Sequence, residues 1–259
     1  MNPPAGATRG LVVLGEFFVD LVFYDLPTAP KMGEEVKTRR FAEFPGGGVA
    51  TTALVAAGLG CPTTVITRVG RDIQGRPAWQ KFEQHGIYVG ACDYTTRFPT
   101  AKTVCAAFDG ERMMITHDAI NQGLHALLNR PAVRRQIRKA RHLHLACPLQ
   151  PLKTWIRAIR EFRSQGLTIS TDIGWNPEVL QAPQLPTILR ECDFTFPSTP
   201  SWSRDMSDTR ISGTWSRLTA MSTSFILRLK ACWACQRCGT PSDIESIASA
   251  FITPIGRRT

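Results

Sequence analysis

Short apolar strands alternate with helical patterns through the first 197 residues of the chain. Apolar runs predict buried strands at 11–16, 63–70, 142–146, 167–172 and 192–197. Helical patterns separate them at 50–59, 75–86, 130–142 and 152–166. Strands that are joined through helices pair in parallel and cross over with a right hand. The order of elements therefore predicts an α/β fold around a parallel sheet.

Two further segments do not fit that parallel sheet. Residues 33–44 have the alternation of an exposed strand pair. Residues 100–117 predict a β-hairpin that turns at Asp109 and Gly110, because Asp-Gly favours tight hairpin turns. We expect these segments to form a small β appendage beside the sheet.

Composition limits the class of protein. At 259 residues and 43% hydrophobic content, the chain can bury the core of one α/β domain. No apolar run reaches the roughly 18 residues of a membrane span. The first ten residues lack the apolar centre of a signal peptide. The eight cysteines are scattered, as expected for reduced thiols, and we expect a cytoplasmic protein without membrane partners.

The net charge of +10 raises the question of a nucleic-acid partner. The basic residues concentrate at 130–142, where no aromatic side chain is available to stack on bases. Arg134, Arg135, Arg138 and Lys139 are expected on the solvated face of a helix. The charge pattern thus argues against nucleic-acid binding.

Three consecutive glycines, Gly46, Gly47 and Gly48, precede the alanine-rich helix predicted from Ala50. Glycine loses more conformational entropy than other residues on folding, so a run of three implies positive φ angles or a close approach to the backbone. Parallel sheets bind ligands beyond the carboxyl ends of their strands, and a helix N-terminus offers free N–H groups there. Three explanations remain open: a bound phosphate, a bound polyhydroxyl compound, and a tight turn with close packing.

Four stretches of the chain occur in a characteristic order and spacing. They are "VVLGEFFVDLV", "APKMGEEV", "PGGGVATTALVAAGLG" followed by "TRVGRDIQGR", and "FPTAKTVCAAFDGERMMITH". Together they resemble the PfkB family of ribokinase-like carbohydrate kinases over roughly residues 10–197. The resemblance implies a three-layer α/β/α fold with a mostly parallel central sheet, a small β lid and an incomplete C-terminal portion. We predict a ribokinase-like domain at 1–197, with its lid at about 20–44 and 98–117, followed by an atypical tail at 198–259.

The resemblance also implies a reaction and a substrate site. Family members transfer the γ-phosphoryl group of ATP, with Mg²⁺ bridging the phosphates, to a hydroxyl of a sugar or nucleoside. Asp20 would hold the sugar hydroxyls, while Gly46, Gly47 and Gly48 would bring the backbone close to the sugar. Thr51 stands where the family usually has a substrate-binding asparagine, which leaves the sugar undefined. The lid of such a protein would also form a homodimer.

Asp172 and Asn176 belong to "STDIGWNPEVL", which resembles the family segment near the phosphates. They are candidates for polar contacts on the phosphate side of the site. An Asn-Pro turn explains the same residues equally well.

Two family features needed for catalysis are missing from the sequence. No Gly-x-Gly-Asp segment occurs, although the family takes its catalytic base and anion hole from such a helix start. "FPSTPSW" stands where an asparagine–glutamate pair is usual. We therefore assign no catalytic residue, and we expect a largely missing nucleotide site and an inactive or very weak kinase. The alternatives are a non-catalytic sugar- or nucleoside-binding protein, and a metal- or nucleic-acid-binding module that uses the tail.

The tail at 198–259 loses the strand–helix alternation and becomes rich in Ser, Thr, Arg, Trp and Cys. Our hypothesis is translation in a shifted reading frame; a divergent extra domain and a disordered tail are the alternatives. Cys232, Cys235 and Cys238 have a spacing found in zinc and iron–sulfur sites. No cysteine or histidine follows them as a fourth ligand, so we interpret the cluster as accidental and predict no metal.

Overall fold

The computed structural model describes residues 10–108, 111–174 and 176–196. Its strands are β1 (Leu11–Gly15), β2 (Phe18–Tyr24), β3 (Arg40–Gly46), β4 (Thr63–Ile66), β5 (Arg68–Gly70), β6 (Asp93–Thr95), β7 (Lys102–Phe108), β8 (Glu111–His117), β9 (His142–Ala146), β10 (Thr168–Asp172) and β11 (Phe194–Thr195). Its α-helices are α1 (Gly47–Gly58), α2 (Gly75–Gln84), α3 (Pro131–Lys139), α4 (Leu152–Ser164), α5 (Pro177–Leu180) and α6 (Leu185–Glu191). Two short 3₁₀ helices lie at Ala119–Asn121 and Leu124–Asn129.

Five strands form a parallel sheet in the order β11-β10-β9-β1-β4. Alternate residues of β1 point to opposite faces, because side chains of a strand alternate. Leu11 and Val13 join the core against α1 and α2, which includes Phe82. Val12 and Leu14 join the core against α3, α4 and α6, which includes Trp155. The three-layer α/β/α prediction is confirmed.

A second sheet of four strands, in the order β3-β2-β7-β8, forms the β lid. The hairpin predicted at 100–117 is confirmed in β7 and β8; its turn residues, Asp109 and Gly110, lie outside the described residues. The strand pair predicted at 33–44 is wrong, since only Arg40–Gly46 is a strand and its partner is β2. The alternation that suggested the pair comes from solvated charges, such as the exposed Lys37–Glu35 ion pair.

The other strand predictions hold with shifted boundaries. The strand predicted at 63–70 is interrupted at Thr67, whose hydroxyl donates to the Gly15 carbonyl at 2.7 Å. Beyond that residue, β5 leaves the main sheet and pairs with β6. The helix predicted from Ala50 begins at Gly47, so the second and third glycines form its first turn rather than a loop before it.

Helix α3 carries the basic cluster and buries Val133 and Ile137. Arg135, Arg138 and Lys139 are exposed, as predicted. Arg134 is instead ion-paired with Glu161 of α4, which Arg138 also approaches at 3.8 Å. Part of this positive charge therefore pairs with α4, and the rest faces solvent.

The predictions for residues 198–259, including the cysteine cluster, lie outside the described residues. Among the helices that the structure describes, none is both long and apolar enough to cross a membrane.

Candidate functional site

Asp20 and Gly46 form the centre of the predicted sugar site. Asp20 lies in β2, opposite Phe44 of β3 and Thr103 of β7. A Cβ atom added to Gly46 would lie 2.1 Å from Asp20 Oδ2. The carboxylate therefore rests against the bare Cα of Gly46, directly before helix α1. Only glycine leaves room for this contact.

The Asp20 carboxylate is partly desolvated. Burial raises the pKa of Asp20 above its ordinary value, although a hydrogen bond from Thr103 and the positive charge of Arg112 act in the opposite direction. Thr103 is itself linked to Thr116 by a hydroxyl–hydroxyl contact of 3.1 Å. A carboxylate of this kind gains from ligand hydroxyls that donate hydrogen bonds to it.

Gly47 and Gly48 have packing reasons for being glycine. Gly47 has a φ of +80°, and an added Cβ would lie 2.6 Å from the Glu16 carbonyl oxygen. A Cβ on Gly48 would lie 2.8 Å from the Cβ of Ala146. The tight-turn explanation thus accounts for these two glycines, whereas Gly46 alone adjoins Asp20.

Thr51 lies one turn further along α1 and is exposed. Its hydroxyl donates to the Gly47 carbonyl at 3.1 Å, the usual back-bond of a helical threonine. The hydroxyl keeps its lone pairs, so it can still accept a hydrogen bond from a ligand.

Asp172 and Asn176 make local backbone contacts. Asp172 Oδ1 accepts from the Gly174 N–H at 3.3 Å, and Asn176 Oδ1 accepts from the Val179 N–H at 3.0 Å as the N-cap of α5. The Asn176 bond belongs to the Asn-Pro turn, and the Asp172 bond closes a separate short turn directly after β10. Asn176 also lines a cavity.

The cavity was not predicted from the sequence. Its volume is about 690 Å³, and Glu16 and Cys147, the residues that directly follow β1 and β9, line it. Further walls come from the first 3₁₀ helix, the start of α4 and helix α5. A polar residue directly after a buried strand, as at Glu16, was the signal that could have located this cavity.

Glu16 is a buried acid in the wall of the cavity. Burial, followed by the negative charge of Asp118, raises its pKa from 4.5 to about 7. Its backbone is fixed, because its N–H donates to the Ala146 carbonyl at 2.9 Å and its carbonyl accepts from the Val49 N–H at 3.4 Å. Glu16 therefore joins the glycine turn on one side to the cavity on the other.

The Gly70–Asp72–Gly75 pattern forms a structural clamp. Asp72 accepts hydrogen bonds from the Gly75 N–H at 2.8 Å, the Thr100 N–H at 2.7 Å and the Thr100 hydroxyl at 2.7 Å. Burial raises the pKa of Asp72, but these bonds outweigh burial and hold it below its ordinary value. The clamp ties the start of α2 to the segment that leads into the lid.

Comparison with known proteins gives one family and one fold. The profile described as "pfkB family carbohydrate kinase" matches residues 8–207. A search of curated proteins found no match.

Solved structures of sugar kinases share the fold of this chain. A ribokinase from Giardia lamblia is 21% identical with a TM-score of 0.62, and the match covers 73% of this chain and 58% of that one. A fructokinase from Xylella fastidiosa with bound ATP is 20% identical with a TM-score of 0.55 and coverages of 73% and 61%. A PfkB protein from Polaromonas sp. JS666 is 20% identical with a TM-score of 0.59 and coverages of 75% and 67%. The ribokinase-like fold prediction is confirmed, and the chain spans only about 60% of the length of the first two proteins.

Proposed function

Because this chain belongs to the pfkB family of carbohydrate kinases, we propose that it binds the sugar or nucleoside acceptor of a phosphoryl transfer. The single observation that carries this proposal is the contact between the Asp20 carboxylate and Gly46 at the start of α1. The carboxylate accepts hydrogen bonds from neighbouring hydroxyls, and the first turn of a helix has N–H groups to donate to their oxygens. Such a pairing suits a polyhydroxyl compound better than a phosphate, because a phosphate would be repelled by Asp20.

ATP is the phosphoryl donor that we propose for the complete reaction. Support comes from the family and from a fructokinase neighbour described with bound ATP. Mg²⁺ in such reactions is held largely by the phosphates of the nucleotide and by water. Within the described ranges, no group of three His, Cys, Asp or Glu side chains is placed to hold a metal, and we derive no chemical step through Mg²⁺.

We further propose that the 259-residue polypeptide binds the acceptor but transfers phosphate poorly. The sequence contains no Gly-x-Gly-Asp segment to provide a base and an anion hole. Without the base, no group removes the proton from the acceptor hydroxyl. Without the anion hole, no N–H donors stabilise the negative charge on the transferred phosphoryl group. We also propose a cytoplasmic location, which suits the free thiols of Cys92, Cys105, Cys147 and Cys192.

Replacement of Asp20 by asparagine is expected to weaken acceptor binding about 10- to 100-fold, because hydrogen bonds to a charged group contribute about 1.5–3 kcal/mol. Isothermal titration calorimetry with D-ribose, D-fructose and adenosine measures this change. Asp25→Asn is the matched control, since Asp25 is exposed beyond the end of β2 and ion-paired with Arg40.

ADP release with the same acceptors should stay far below about 1 per second, the slow end of ordinary enzymes. Equal affinity in both variants would refute the sugar site, and turnover near 1 per second would refute the loss of transfer.

We propose, in addition, that the lid forms a homodimer through its outward face. Strand register places five exposed apolar residues on the face opposite Asp20, namely Phe23, Phe41, Val104, Met113 and Ile115. Ile115 is 71% exposed and Phe41 is 51% exposed, while the rings of Phe23 and Phe41 pack together at 5.0 Å. A contiguous apolar face of this kind marks an interaction surface.

The lid dimer predicts a face-specific effect of charge. Ile115→Lys should convert a dimer to a monomer in sedimentation-velocity experiments, because it would bury an unpaired ammonium group in the interface. Met114→Lys, next in β8 but on the Asp20 face and 51% exposed, should leave the dimer intact. A monomeric unmodified protein, or dissociation by both variants alike, would contradict the proposal.

A further inference from the structure

The cavity beside Glu16 lies outside the predicted acceptor-binding residues, although it includes Asn176, the candidate for the phosphate side. None of Asp20, Gly46, Gly47, Gly48 or Thr51 lines it. The cavity lies next to the core cluster on the α3 and α4 side of the sheet. Leu124 of the second 3₁₀ helix belongs to that cluster and forms part of the cavity wall. Its volume of about 690 Å³ lies in the range of small-molecule pockets, about 300–1,000 Å³.

Asn121 belongs to the cavity wall and has a buried side-chain oxygen without a partner. Its side chain is 4% exposed, and its amide Nδ2 donates to the Phe17 carbonyl at 3.4 Å. Its Oδ1 atom has no hydrogen-bond partner within the described part of the chain. A buried polar group without a partner is rare in native proteins and calls for a donor from elsewhere. Nδ1 of His125, in the second 3₁₀ helix, is also buried and has no hydrogen-bond partner within the described residues.

The cavity also carries an excess of negative charge. Glu16, Asp118 and Glu178 line it, against one lysine, Lys153. Asp118 accepts from the Gln122 amide at 3.1 Å, and Glu178 accepts from the Gln150 amide at 3.0 Å. Because these donors are neutral, they orient the two carboxylates without offsetting their charge.

We propose that this cavity binds a small molecule through a protonated amine, which Glu16, Asp118 and the Asn121 carbonyl hold together. An ammonium group has three N–H donors and a positive charge, so it satisfies three acceptors and offsets two carboxylates. A neutral hydroxyl compound supplies fewer donors and no charge. The walls thereby select an amine over an alcohol of the same length.

The protonation of Glu16 sets the pH dependence of this binding. The groups that face it are Asp118, before the first 3₁₀ helix, and Cys147, after β9; His125 and Lys153 lie on the other walls. Since the pKa of Glu16 is about 7, the ionised fraction that attracts an amine falls roughly tenfold between pH 8 and pH 6. Amine affinity falls with it.

The test compares putrescine with 1,4-butanediol, which has the same chain length but no charge, by isothermal titration calorimetry on the full chain. We expect putrescine to bind at least tenfold more tightly than the diol at pH 8, and about tenfold more weakly at pH 6 than at pH 8. Glu16→Gln should weaken putrescine binding at least tenfold at pH 8 while the protein stays folded. Asp20→Asn, in the predicted sugar site, should leave putrescine binding unchanged.

Equal affinity for putrescine and the diol would overturn the proposal, as would an unchanged affinity in Glu16→Gln. Loss of putrescine binding in Asp20→Asn would also overturn it, because the amine would then occupy the sugar site. Sugar binding that is lost in Asp20→Asn while putrescine binding persists supports two separate sites. The failure of one proposal is therefore distinguishable from the failure of the other.

Discussion

Replacement of Glu16 by glutamine is expected to stabilise the protein by up to about 3 kcal/mol at pH 8 and to leave its stability unchanged at pH 4. The pKa of Glu16 is raised from 4.5 to about 7 by burial and then by Asp118. Each unit of pKa shift corresponds to about 1.4 kcal/mol between the two protonation states. At pH 8 the native protein must hold a buried carboxylate beside another, and glutamine removes that cost.

The sign follows from proton uptake. Between pH 4.5 and about 7, the native state keeps a proton on Glu16 that the unfolded state has lost. The free energy of unfolding therefore falls as pH rises through this window. Below pH 4.5 both states are protonated, so glutamic acid and glutamine behave alike.

The titration of His142 changes the free energy of unfolding in the opposite direction over nearly the same pH range. Burial lowers the pKa of His142 from 6.5 to about 4, and its ring nitrogens lie 3.0 Å from the Thr168 hydroxyl and 2.6 Å from the Ser170 hydroxyl. Because the unfolded state binds the proton first, stability is lost as pH falls from 6.5 towards 4. The effects of Glu16 and His142 on the free energy of unfolding thus offset each other between pH 4.5 and 6.5. In Glu16→Gln only the effect of His142 remains, so the full loss of stability at acid pH becomes measurable.

Urea unfolding at pH 4, 5, 6, 7 and 8 measures both effects. The unmodified protein should have a nearly flat profile between pH 4.5 and 6.5, while Glu16→Gln should lose stability as pH falls. Glu43→Gln, at an exposed position of β3, is the control for removal of a carboxylate. A Glu16→Gln effect of equal size at pH 4 and pH 8 would contradict the assignment to ionisation.

The central sheet could be predicted because its strands are short and buried on both faces. Short apolar segments such as "LVVLG" and "HLHLA", with helices between them, fit few structures other than buried parallel strands. They form β1 and β9, respectively. The strand pair at 33–44 was predicted wrongly because solvated charges alternate just as half-buried residues do. Local pattern carries no information on whether the polar positions face water on one side or on both.

The structure brings some of the predicted site residues together and leaves others apart, for a physical reason. Asp20 and Gly46 meet because β2 and β3 pair in one register, a contact across 26 residues that family spacing implied but local pattern did not. Glu16, directly after β1, lines the same cavity as Asp118 and Asn121 at the first 3₁₀ helix, about 100 residues further along the chain, which no local period encodes. The pKa of Glu16 depends on burial created by the whole fold, so it could not be predicted from the residue or its neighbours.

Alanine substitutions at Gly46 and Gly47 are expected to separate ligand binding from packing. Gly46 has a φ of −121°, which alanine adopts freely, but its Cβ would lie 2.1 Å from Asp20 Oδ2. That carboxylate is the far end of a side chain and can rotate away, so Gly46→Ala should cost only about 1 kcal/mol of stability. The rotation removes the carboxylate from its place beside α1, and acceptor binding should weaken at least tenfold.

Gly47→Ala should behave in the opposite way. Its φ of +80° strains any residue with a Cβ, and that Cβ would lie 2.6 Å from a backbone carbonyl oxygen, Glu16 O, which cannot rotate away. A loss of about 3 kcal/mol in the free energy of unfolding is expected from the strain and the clash together.

Urea unfolding gives the stabilities of both variants, and calorimetric titration with the acceptor that the unmodified protein binds best gives their affinities. Unchanged binding in Gly46→Ala would show that all three glycines serve packing, and Gly47→Ala with normal stability would show that its turn relaxes. The expected pattern, with binding lost at Gly46 and stability lost at Gly47, assigns ligand approach to one glycine and chain geometry to the next.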